Sequence, residues 1–212
     1  MLIEVSGENI QLLPEKAIWM PGRKMLFIAD PHFGKINHFR RSGIVVPPKA
    51  NDQNAELLIS LVRQFSPERL IFLGDLFHSH YNEEWEVVGQ ISRHFNHISF
   101  ELVRGNHDIM SALQYQRHHM LVHESTLQVG TILFSHEQLA DHKGPLYNIA
   151  GHVHPAVSLM GAGRQSLTLP CFYFGKNYGL LPAFGAFTGL AKIKPTASDR
   201  VYVIADGKIM AT

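Results

Sequence analysis

Largely apolar runs at 25–29, 70–73, 98–103, 131–134 and 147–150 set the rhythm of the chain, and each gives way within a few positions to Asp, Asn or His. Met25-Leu26-Phe27-Ile28-Ala29 is apolar throughout, the pattern of a strand buried on both faces. After Pro47-Pro48, apolar residues at Ala55, Leu58, Leu61, Val62 and Phe65 recur at helical spacing, predicting a helix over 51–65 with Asn51 or Asp52 as N-cap. A second helix is expected from about Glu83 to Phe95. Strand and helix alternating in this half predict βαβ units and parallel pairing. Ahead of it, 2–5, 10–13 and 16–20 read as strands punctuated by Pro14 and Pro21-Gly22. Beyond the last two runs, 156–160, 166–174 and 200–205 read as strands joined by glycine-rich turns. No repeat or linker interrupts the chain, so one domain spanning 1–212 is expected.

Composition narrows the class. With 212 residues, 45% apolar and 17% charged, the chain reads as a folded globular protein with a substantial core. A formal net charge of +1 supplies no global field to draw it onto nucleic acid, so such a contact would need a local patch. A lone cysteine, Cys171, excludes an internal disulfide and suits a reducing compartment. No basic-then-apolar leader opens the chain, and no run approaches the ~18 apolar residues of a membrane span. A cytoplasmic protein is expected.

The chemistry sits where the apolar runs stop. Asp30-Pro31-His32, Gly74-Asp75, Gly105-Asn106-His107-Asp108, Ser135-His136 and Gly151-His152-Val153-His154 each follow such a run. Taken singly they are ordinary: Asp after a strand is commonly a cap or turn residue, Asn a turn former, and a lone His a satisfied core or surface group. Together they offer carboxylate, imidazole and amide donors without thiolate, a set suited to Mn²⁺, Fe²⁺ or Zn²⁺ and unlike a structural zinc site.

The order Asp-x-His, Gly-Asp, Gly-Asn-His-Asp, (Gly/Ser)-His, Gly-His-x-His from Asp30 to His154 resembles the calcineurin-like metallophosphoesterase superfamily. Within it, the flanks Ala29–Lys35, Phe39–Ile44, Gly74–Ser79 and Leu181–Gly189 look most similar to the bacterial metallophosphoesterases associated with DNA ligase. The resemblance implies an α/β fold, a four-layer α/β/β/α sandwich of two mixed sheets. It also implies a hydrolase of phosphoric esters, a DNA endonuclease in repair alongside ligase or helicase partners. Two divalent ions, Mn²⁺ first with Fe²⁺ or Zn²⁺ as alternatives, would be the cofactors. By the same resemblance, Asp30, His32 and His154 would bind one ion, Asn106, His136 and His152 the other, and Asp75 would bridge them. A hydroxide held between the ions is the implied nucleophile, since a metal lowers the pKa of bound water from 15.7 to about 7. His107 would stabilise charge or protonate the leaving oxygen, and Asp108 would orient His107 or its loop. Pro31 and Ser135 depart from the commonest family pattern without removing a ligand.

Around this set, Lys35, His38, Arg40 and Arg41 form the densest basic cluster, in which Arg40 or Arg41 could hold a phosphate or simply be solvated. His78 is a candidate for substrate contact, and His118 and His119 read as surface residues. Phe172-Tyr173-Phe174 with Tyr178 could stack bases but alternates like a core strand. The segment 181–189 is expected to brace the histidine loops. A phosphoesterase for a small nucleotide or lipid-linked diphosphate, and a catalytically silent metal-binding scaffold, are the competing readings.

Overall fold

Seven strands make the first sheet, in the order β1 (Leu2–Val5), β2 (Glu8–Leu13), β3 (Ala17–Met20), β4 (Met25–Ala29), β5 (Arg69–Leu73), β6 (Ser99–Val103) and β7 (Met120–His123). The computed structural model describes residues 1–33, 50–77, 83–139, 144–160, 165–186 and 188–212. β1 to β4 run antiparallel, whereas β4 to β7 are parallel. The parallel half is connected through α1 (Ala50–Phe65), α2 (Glu83–His94) and α3 (Ala112–Arg117). α1 starts at Ala50, so the residues expected to cap it, Asn51 and Asp52, belong to its first turn.

Alternation along the strands sorts the two faces. Leu26, Ile28, Leu70, Phe72, Phe100 and Leu102 pack against Leu58, Leu61 and Val62 of α1 and Trp85, Val88 and Ile91 of α2. Phe27, Ile71 and Val103 point the other way, into a core shared with Phe134, Ile149 and Phe172 of the second sheet. Phe27 and Phe134 stack across that interface with ring centroids 4.0 Å apart.

The second sheet is nine-stranded and mixed: β8 (Thr126–Val129), β9 (Ile132–Ser135), β10 (Tyr147–Ala150), β11 (Pro155–Met160), β12 (Ser166–Phe174), β13 (Tyr178–Leu180), β14 (Ala191–Lys192), β15 (Arg200–Ala205) and β16 (Lys208–Ala211). The two mixed sheets of an α/β sandwich are thus present. Among the described residues no helix covers the outer face of the second sheet. That face closes on itself through Val157, Cys171, Tyr173, Leu180, Val201 and Val203. Neighbouring strands there are often hairpin partners, whose links are too short for a crossover helix.

Register is what builds the site. Ala29 pairs with Leu73 and Leu73 with Val103, so β4, β5 and β6 end at one level. Ser135 pairs with Ala150, so β9 and β10 end together as well. Because the sheets stack face to face, the five carboxyl ends meet along one rim, the usual ligand-binding edge of such folds.

Candidate metal centre

On this rim Asp30, His32 and His154 bring ligand atoms within 4.8 Å of one another, and Asp75, His136 and His152 do the same. Asn106 joins the second group, its Oδ1 3.0 Å from His136 Nε2. The two carboxylate oxygens of Asp75 divide between the groups. Oδ2 lies 3.8 Å from His32 Nε2, while Oδ1 lies 3.4 Å from His136 Nε2.

Tautomers follow from the neighbours. His136 Nδ1 is 3.1 Å from the Leu73 carbonyl, an acceptor; with the proton on Nδ1, the imidazole turns the Nε2 lone pair into the group. That nitrogen faces Asn106 Oδ1, Asp75 Oδ1 and, at 3.0 Å, His152 Nδ1. His154 Nδ1 is likewise engaged by the Gly189 carbonyl at 3.2 Å, leaving Nε2 3.7 Å from Asp30 Oδ1. Asp30 Oδ1 and His154 Nε2 are buried without a hydrogen-bond partner among the described residues. Lone pairs converging in a buried space repel one another unless a cation or proton lies among them, so this donor set fits a divalent ion.

The backbone beneath these side chains is unusual. Asp30, His32, Asp75, His152 and His154 all have φ between 47° and 63°, in the left-handed region. Asp and His tolerate that region better than most residues, yet each instance still costs about 1–3 kcal/mol and persists only where the surroundings enforce it. Enforcement is visible: Asp30 Oδ2 accepts the His152 N–H at 2.8 Å, and Asp75 Oδ1 accepts that of His107 at 3.0 Å. Gly105 is obligatory for close approach, since a Cβ there would lie 2.4 Å from Asp75 N.

Asp108 is 2% exposed and cannot reach an incoming substrate. Its carboxylate accepts the N–H groups of Leu76 at 3.0 Å and Gly105 at 2.8 Å, tying the Asp75 loop to the Asn106 loop. Burial pushes its pKa up to about 6, against the opposing effect of the Gly105 N–H and with Asp75 adding to the rise. His107 lies beside the groups, partly exposed, with Nε2 4.0 Å from Asp75 Oδ2. Arg40, Arg41 and His78 lie outside the described residues.

Ser135 explains its own departure from glycine: its hydroxyl donates to the Glu137 carbonyl and accepts from Asn148 Nδ2, pinning the turn that carries His136. Residues 181–186 of the segment expected to brace the histidine loops cross the strand ends, with Leu181 N–H on the Ala150 carbonyl and Phe184 N–H on that of Ala29, both at 2.8 Å. Asn54 of α1 was missed by the sequence reading. It donates to the Pro31 carbonyl and accepts the Ala186 N–H, and its signal was a polar residue on the buried face of a helix. His118 is corrected: it is fully buried, 4.6 Å from the Trp85 ring, because Gly89 of α2 leaves a notch that it fills. Phe172, Tyr173 and Phe174 are core residues.

A fold of this kind with paired clusters of Asp, Asn and His at its strand ends defines a metal-dependent phosphoesterase. The family profile of the calcineurin-like phosphoesterases matches residues 23–175, and the chain belongs to that family. Its structure is similar to the crystal structure of Pseudomonas putida nuclease MPE, with a TM-score of 0.81 and 28% identity, covering 100% of this chain and 99% of that one. No protein of curated function matches the sequence significantly.

Proposed function

We propose that this chain is a two-metal phosphodiesterase acting on DNA. The observation that carries the reading is Asp75, whose two oxygens face two separate ligand groups 3.8 and 3.4 Å away, the geometry of a shared carboxylate. Asp30, His32 and His154 would hold one ion, and Asn106, His136 and His152 the other. Bound there, two divalent ions would acidify a water and stabilise the attacking and leaving oxygens of an in-line displacement. Manganese, with iron or zinc as alternatives, would suit donors that mix carboxylate, amide and imidazole. His107, partly exposed beside the groups, would protonate the leaving oxygen. Asp108 acts as a positioning residue.

DNA as substrate is supported by the similarity to a nuclease, and the resemblance of the segments 29–35, 39–44, 74–79 and 181–189 to ligase-associated phosphoesterases points the same way. Repair partners such as ligase and helicase, and a cytoplasmic setting, belong to the same proposal; the latter is supported by the single buried thiol of Cys171. No helix of the described residues is long and apolar enough to cross a membrane. The test is cleavage of single- and double-stranded DNA with Mn²⁺, against chelator-treated protein and Asp75→Ala. Metal-dependent scission lost in Asp75→Ala is expected. A parent protein that takes up metal and cuts neither strand form would overturn the assignment.

A further inference from the structure

The β11–β12 hairpin carries the second sheet past the metal centre. β11 is antiparallel to β12 and β12 to β13, whereas β13 is parallel to β10, so β11 runs in the direction of β10. β10 ends on the rim at Ala150, and β11 starts at Pro155, directly after His154. Leu180 pairs with both Ala150 and Tyr173, and Ala156 pairs with Pro170, three residues before Tyr173 in β12. At about 3.3 Å per residue, Ala156 stands roughly 10 Å beyond the level of Ala150. β14, paired to β11 through Ala156, rises with it.

Alternation fixes which way this extension faces. Phe172 and Phe174 point into the core between the sheets, while Cys171 and Tyr173 point outwards. Leu169 packs with the outer cluster, as do Val157 and Leu159 of β11 and Ile193 just after β14. Ala156, Ser158, Thr168, Lys192 and Lys194 therefore share the inner side. The Ser158 and Thr168 hydroxyls meet there, 3.0 Å apart. Below the rim this side is apolar because the first sheet covers it. Beyond Ala29, Leu73 and Val103 that cover ends, and the surface turns polar.

Its charge is uncompensated. Lys192 and Lys194 are exposed and have no ion pair among the described residues. No Asp or Glu occurs in 155–160, 166–174 or 188–198. The segment is also tied to the metal centre: Ala191 N–H donates to the His154 carbonyl at 3.0 Å, and the Gly189 carbonyl lies 3.2 Å from His154 Nδ1. Side chains two apart on an extended segment are separated by about 6.6 Å, a spacing that suits neighbouring phosphates of one strand.

We infer that this face is a backbone track. Lys192 and Lys194 hold phosphates of the strand on the His154 side of the centre, Ser158 and Thr168 offer hydroxyls to the same backbone, and no base is read there. The inference rests on the DNA reading and adds the path of the strand, which that reading leaves open. It also supplies the local patch that a net charge of +1 requires. Lysine on an edge strand can serve only to block pairing with another chain, and that role would leave cleavage untouched.

The test uses the full chain loaded with Mn²⁺ and the double variant Lys192→Glu/Lys194→Glu. Cleavage of a single-stranded oligonucleotide is compared with turnover of bis-p-nitrophenyl phosphate, which has no flanking phosphate. The ratio of the two kcat/KM values is expected to fall at least tenfold in the variant, through KM. The slope of log kcat/KM for the oligonucleotide against log salt should become shallower by about 1.4, since each contact to a single strand contributes about 0.7. Lys176→Glu/Lys208→Glu makes the same change in net charge after β12 and at the start of β16, and is expected to keep the parent's ratio and slope. Thermal unfolding checks that each variant is folded. A ratio and slope unchanged by the Lys192/Lys194 substitutions, or lowered as much by the control, would overturn the track while leaving the phosphodiesterase intact. A parent that turns over bis-p-nitrophenyl phosphate but cuts no DNA would end the track and the DNA reading together.

Discussion

Asp108 Oδ1 accepts the backbone N–H of Leu76 at 3.0 Å, reaching across 32 positions of sequence to the loop that carries Asp75. Since Oδ2 holds Gly105, one carboxylate sets the spacing between the loops of Asp75 and Asn106. Asp108→Ala would strand two buried donors, each worth about 1–3 kcal/mol when unsatisfied. The expected result is a lowered urea midpoint and at least a tenfold loss of diesterase activity. Asp108→Asn, which keeps one acceptor, should fall between. Parallel unfolding and rate measurements check this, and an alanine variant with unchanged midpoint would sink it.

Gly74 has φ of +72°, and a Cβ there would lie 2.1 Å from His136 Nδ1. Gly74→Ala should push the imidazole off the Leu73 carbonyl, weaken uptake of one of two ions and destabilise the fold by about 1–3 kcal/mol through overpacking. Gly7→Ala is the control, because φ there is +81° but nothing lies within 4 Å. Only backbone strain is expected at Gly7, with metal stoichiometry unchanged by elemental analysis.

His107→Gln tests the acid role apart from metal binding. If the imidazole supplies a proton to the leaving group, kcat should fall by roughly 10²–10⁴. Two equivalents of metal should still bind. Loss of an ion in this variant would reassign His107 to the ligand set.

Away from the rim, Glu101 is buried in β6 and accepts hydrogen bonds from Arg69 and Ser99, with His123 Nε2 at 2.7 Å. Burial alone would raise its pKa, but the bonds from Arg69 and His123 outweigh it, and the carboxyl titrates below its ordinary value of 4.5. A depressed folded-state pKa stabilises the protein above the unfolded value and loses that contribution as pH falls through the folded one. Glu101→Gln should therefore cost about 1–3 kcal/mol near pH 7, and the gap to the parent should narrow progressively as pH falls below the ordinary carboxyl value of 4.5. Denaturant curves from pH 3 to 8 read it directly, and a gap independent of pH would count against an ionised Glu101.

The strands that reach the rim were legible because each is buried on both faces, so hydrophobicity marks both their extent and where they stop. Asp30, Asp75 and Asn106 fall at those stops. β7, β8, β13, β14 and β16 were not legible: they are short, several lie at sheet edges, and residues such as Leu121 stay exposed, which dilutes any periodic signal. α3 was not legible either, because a helix of six residues is too short to show an apolar period. The burial of His118 was beyond local reasoning, since the notch that receives it belongs to α2. What brings the ligands together is the shared level of Ala29, Leu73 and Val103, a property of pairing between strands that no single stretch encodes.

The left-handed turns under Asp30, His32, Asp75, His152 and His154 bear on how such a centre could be borrowed. Grafting the same side chains onto regular strands of another scaffold would aim them wrongly, because their direction comes from the twist in the main chain beneath them. A successful transplant would have to carry the loops together with the glycines and amide contacts that brace them.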